Sequence, residues 1–66
     1  MIRITERFNN GYTDCYKIYS DKGMKIKNKK NGNLYNTNKD IPLVIVAEKL
    51  TDFVETDVKN DDIKKD

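Results

Sequence analysis

The chain has 66 residues, 13 basic against 11 acidic for a net charge of +2, one cysteine and no histidine. That length holds one small core, and the composition excludes an intramolecular disulfide, a Cys/His zinc site and any chemistry that needs an imidazole. No apolar run approaches the ~18 residues of a membrane span, and no charged-then-apolar leader opens the chain, so a cytoplasmic protein is expected.

Residues 1–39 read as an antiparallel meander punctuated by three turns: Asn9-Asn10-Gly11, Asp21-Lys22-Gly23 and Lys30-Asn31-Gly32-Asn33. Asx residues followed by glycine tolerate the positive φ that tight hairpins need. Three-residue loops at the first two turns set Ile2 opposite Ile18, Ile4 opposite Tyr16, Phe8 opposite Tyr12 and Ile18 opposite Ile26. They gather Ile2, Ile4, Phe8, Tyr12, Tyr16, Ile18, Met24 and Ile26 on one face, at the cost of Glu6 opposite Asp14. The third turn closes with either Tyr35 or Leu34 against Ile26, giving a short fourth strand in 34–38. The other face carries Arg3, Thr5, Arg7, Thr13, Cys15, Lys17, Tyr19, Lys25, Lys27 and Lys29, and is expected to be solvated and basic.

The densest apolar stretch is 41–54. As a helix it starts on Asp40 as N-cap with Pro42 in the first turn, and Leu43, Val46, Ala47, Leu50, Phe53 and Val54 form one stripe. Ile41, Val44 and Ile45 then fall off the stripe and become a candidate protein interface. The alternative makes Leu43-Val44-Ile45-Val46 a short β-strand, as its β-branched content favours, with a helix from Ala47. Residues 57–66 lack apolar periodicity and read as a disordered acidic and basic tail. The expected architecture is α+β: a three- to four-stranded antiparallel meander over about 2–38, packed on one C-terminal helix over about 41–56, in a single domain of residues 1–56 with a flexible tail.

Charge is unevenly spread. Residues 22–39 hold six lysines and no acid, whereas 40–66 hold eight acids and four lysines. Alternating Lys25, Lys27 and Lys29 share a strand face at about 6.8 Å intervals; with Arg3 and Lys17 they form a candidate nucleic-acid-binding set, for which the acidic C-terminal region competes. Evidence for catalysis is lacking. The three glycines are far apart and each belongs to a turn, so no phosphate loop is present. Glu48, Asp52 and Glu55 share one side of the expected helix and read as a solvated face. No catalytic, metal or cofactor residue is assigned, no cofactor or small-molecule substrate is expected, and the chain reads as a non-enzyme.

Over residues 12–54, a three-stranded meander followed by a helix is similar to the arm-binding domains of tyrosine recombinases. The resemblance lies in element order and implies a sheet laid in the DNA major groove. Two functions are therefore expected. The first is a small interaction module for a protein partner or a homodimer, of the kind a phage or mobile element uses as an accessory or inhibitory protein. The alternative is a nucleic-acid-binding module using the lysine-rich face.

Overall fold

The computed structural model describes residues 1–61. Six strands follow in chain order: β1 (Ile2–Asn9), β2 (Asp14–Ser20), β3 (Met24–Asn28), β4 (Leu34–Tyr35), β5 (Leu43–Val46) and β6 (Phe53–Lys59), with a 3₁₀ turn at Leu50–Asp52 leading into β6. They form two antiparallel three-stranded sheets, ordered β1-β2-β5 and β4-β3-β6. Ile18 and Ile45 from the first sheet meet Ile26 and Phe53 from the second in one buried cluster, with Ile2, Ile4, Tyr16, Tyr35, Leu43 and Leu50 packed around it.

The fold is all-β, and the α+β expectation is wrong: no helix occupies 41–56. The strand alternative for Leu43–Val46 is what forms. Leu43 and Ile45 turn inward while Val44 and Val46 turn outward, the period-two pattern of a half-buried strand. Consecutive β-branched side chains at 44–46 are stiff at χ1 and fit a pleated surface better than a helix. The helix expected from Ala47 in that alternative is also absent. Ala47 sits at φ 58°, a left-handed conformation that turns the chain out of β5 toward the 3₁₀ turn. An L-residue with a Cβ is strained there by about 1–2 kcal/mol. Ala47→Gly is therefore expected to raise stability by about 0.5–1 kcal/mol after the added freedom of the unfolded chain is counted. The check is a higher urea midpoint at an unchanged m value.

The tail expectation also shifts. Residues 57–59 belong to β6, where Lys59 pairs with Met24, because a backbone ladder needs no apolar periodicity. Asn60 N–H then donates to the Gly23 carbonyl at 2.8 Å. Residues 62–66 of the expected tail lie outside the described residues. With its strands divided between two sheets and no helix behind them, the chain does not share the element order of the recombinase arm-binding domains.

Two features reset the meander's register. A bulge between Ile4 and Glu6 sets Ile4 opposite Ile18, Glu6 opposite Lys17 and Phe8 opposite Cys15. It replaces the expected Glu6–Asp14 repulsion with a Glu6–Lys17 ion pair at 3.2 Å. The β1–β2 loop is four residues, 10–13, because the Asn10 side-chain oxygen accepts from the Tyr12 and Thr13 amides; Tyr12 is left almost wholly exposed. Cys15, expected on a solvated face, is buried between its cross-strand neighbours Phe8 and Val46.

The second feature is the corner at residues 20–23. The Gly23 amide closes the turn on the Ser20 carbonyl, and the Ser20 hydroxyl accepts from the Lys22 and Met24 amides. This corner moves the chain from one sheet to the other, so Ile18 and Ile26 meet across the core instead of along a hairpin. Tyr35 lies opposite Ile26, one of the two pairings open at the third turn.

Candidate functional site

The five candidate nucleic-acid-binding residues do not share one face. Arg3 and Lys17 lie in the β1-β2-β5 sheet, whereas Lys25 and Lys27 lie on β3 and Lys29 just beyond it. Three of the five are paired with acids. Arg3 Nε bonds Asp21 at 2.9 Å, Lys17 Nζ meets Glu6 at 3.2 Å, and Lys25 Nζ meets Asp61 at 3.3 Å. Lys30 adds a fourth contact, to Asp52 at 3.5 Å. The acidic third of the chain thus folds onto the lysine-rich hairpin, leaving Lys27 and Lys29 as exposed cations.

The three carboxylates expected on one helix side are dispersed as well. Glu48 accepts from Asn28 Nδ2 at 2.9 Å. Asp52 faces Lys30. Glu55 accepts from the Ser20 hydroxyl and meets the N-terminal ammonium at 2.9 Å. The Ser20 hydrogen bond, followed by the ammonium, holds the Glu55 carboxyl below its usual range. Asp21 is lowered by hydrogen bonds from the same ammonium and from Arg3, and Asp61 by the Asn36 amide and Lys25. Bonds to Asp21 and Glu55 in turn raise the ammonium's pKa. These shifts follow from structural pairing. Among the described residues, no group of acids, cysteines or histidines is placed to hold a metal ion.

A depression of about 550 Å³ opens beside the 20–23 corner, near Thr37, Asn38 and Asn60. Its polar groups satisfy one another. Asn60 Nδ2 donates to the Thr37 carbonyl at 2.6 Å and Asn60 Oδ1 accepts from the Thr37 amide at 3.1 Å. The buried Thr37 hydroxyl accepts from the Ser20 amide. No buried side-chain polar atom among the described residues lacks a hydrogen-bond partner.

The candidate interface residues separate along β5. Ile41 is 39% exposed and Val44 46% exposed, whereas Ile45 is 1% exposed and belongs to the core. Val46, placed on the buried stripe by the helix reading, is 42% exposed; the β-branched run at 44–46 was the signal for a strand, and a strand turns Val46 outward. Ile41 is held at the rim by the Asn38 side-chain oxygen, which accepts from the Asp40 and Ile41 amides at 2.8 and 2.6 Å. Val44 and Val46 share the outer face with Lys17 and Cys15, their partners on β2. β5 pairs with β2 only, and among the described residues no other hydrogen bond reaches residues 43–46. An apolar strand edge, with Ile41 at its head, is the surface these elements assemble.

No family model, curated protein or solved structure matches this chain. Among the described residues, no helix is long and apolar enough to cross a membrane.

Proposed function

We propose that the chain is a small, non-enzymatic protein-binding module that takes up an extended segment of a partner along β5. The observation that supports this reading is the open edge of β5, with Val44 and Val46 exposed beside backbone groups that no second strand occupies. Strand addition uses such an edge twice: main-chain hydrogen bonds supply affinity, and alternate side chains supply selectivity. A reducing cytoplasm suits this reading, because the lone buried thiol of Cys15 stays unpaired there.

Selection from a random peptide library against the immobilised chain tests the proposal. Extended, β-branched-rich peptides should be recovered, and Val44→Lys should weaken them about tenfold or more, because a charge on a strand edge opposes pairing. Recovery of none, or equal binding to the variant, would overturn the reading.

Nucleic-acid binding through Lys27 and Lys29 is the second reading, favoured only by those two exposed cations, which pair with no acid among the described residues. It requires an affinity for random duplex DNA that falls steeply with salt and is lost in the Lys27→Glu/Lys29→Glu double variant.

A further inference from the structure

We propose that the partner of β5 is β5 of a second copy, joined antiparallel about a two-fold axis centred on Ile45; this rests on the protein-binding reading above.

The sheets' other outer strands are guarded against such pairing. β1 carries a bulge between Ile4 and Glu6 and the charges of Arg3, Glu6 and Arg7. β6 carries Glu55, Asp57 and Lys59, and the Thr56 hydroxyl occupies its neighbour's backbone, accepting from the Val58 amide at 3.1 Å and donating to the Val58 carbonyl at 3.2 Å. β4 is only two residues long. Bulges, charges and brevity are the ordinary devices that keep strand edges apart. β5 has none of the first two: it is regular, and from Ile41 to Ala47 it bears no charge.

Symmetry narrows the register. A two-fold axis perpendicular to the sheet keeps outer side chains with outer side chains, so facing residues must have the same parity. Centring on Val44 sets Pro42, which has no N–H to donate, opposite Val46 of the second copy. Centring on Ile45 puts Val44 against Val46 and Leu43 against Ala47, and keeps Pro42 outside the paired stretch. The exposed valines then become two cross-strand pairs with Cβ atoms about 4.5–5.5 Å apart. The left-handed turn at Ala47 ends the paired stretch. The patch is complementary to itself, as an isologous interface requires, and the result is one continuous sheet of order β1-β2-β5-β5-β2-β1.

Sedimentation equilibrium of the full chain over a wide concentration range tests this. A reversible dimer is expected. Val44→Lys and Val46→Glu should each weaken it about tenfold or more; both sites are solvent-exposed, and circular dichroism checks that the strands persist. An equimolar mixture of the two variants should form a mixed dimer stronger than either alone, because the register sets the lysine of one chain against the glutamate of the other. A monomer at every concentration, a Val44→Lys dimer as strong as the parent, or a mixture no stronger than its components would overturn the proposal. A monomer that still binds library peptides through Val44 defeats self-pairing alone. A monomer that binds none defeats the protein-binding reading as well.

Discussion

Ile26→Ala is expected to remove half or more of the domain's stability. Ile26 is fully buried on the central strand of its sheet, between Tyr35 on β4 and Glu55 on β6, and clusters with Phe53 of its own sheet and with Ile18 and Ile45 across the core. Truncating a buried isoleucine to alanine costs about 2–5 kcal/mol, the upper end applying where the site does not collapse. A chain of this size holds only about 3–10 kcal/mol in total, at roughly 0.05–0.15 kcal/mol per residue. With two sheets pinned on both sides of the vacated space, the upper part of that range is expected. Urea denaturation gives the number directly. Val44→Ala is the control: its side chain is nearly half exposed, and its effect on the monomer should stay within about 0.5 kcal/mol. Equal losses at both positions would mean that Ile26 is not at the centre of the core.

Asn28→Ala is expected to cost about 2–3 kcal/mol, through lost hydrogen bonds. Asn28 is buried at the end of β3, and its side chain organises the loop that follows. Oδ1 accepts from the Lys30 amide at 2.8 Å and the Asn31 amide at 3.4 Å, while Nδ2 donates to Glu48 at 2.9 Å. Removing the side chain strands donors that the fold has taken from water, at about 1–3 kcal/mol for each group left unsatisfied, less whatever solvent regains. Asn28→Asp separates the two halves of this role. It keeps the acceptor for the loop amides but sets a second carboxylate against Glu48. Near neutral pH it should destabilise about as much as the alanine variant. Raising the salt concentration screens that repulsion at the exposed Glu48, so the aspartate variant should regain stability relative to the parent. The alanine variant should show no such recovery. Denaturation midpoints of the three proteins at low and high salt decide it.

The turns were legible in the sequence. Gly11, Gly23 and Gly32 all adopt positive φ, as their Asx-Gly and Lys-Gly settings imply. The inward-facing Ile18 and Ile26 were legible too, because apolar alternation survives an error in register. Less could be read where two periods competed. In 41–54 a helical stripe and a short strand are both consistent with the same apolar residues, and β-branching at 44–46 decided for the strand. That one choice displaced the candidate interface, including Ile45 where Val46 belongs. The bulge after Ile4 and the corner at 20–23 left no apolar signature, since each depends on backbone and hydroxyl hydrogen bonds. The candidate basic face dissolved for a related reason: its counter-charges come from far along the chain, with Asp61 36 residues from Lys25. The roles of Asn28, Asn38 and Asn60 were equally hidden, because a buried asparagine and a loop asparagine look alike in sequence.

The two sheets also differ in how much of the chain they need. The β1-β2-β5 sheet has all its strands within residues 2–46, whereas the other sheet is finished only by β6, its longest strand, and by the Asn60 side chain that fastens Thr37 to the end of β6. A proteolytic cut just after Ala47 would therefore leave one sheet with its full set of strands but strip Phe53 from its inner face, where Ile18 and Ile45 lie. The greasy side of that fragment is where a holdase chaperone would have most to grip.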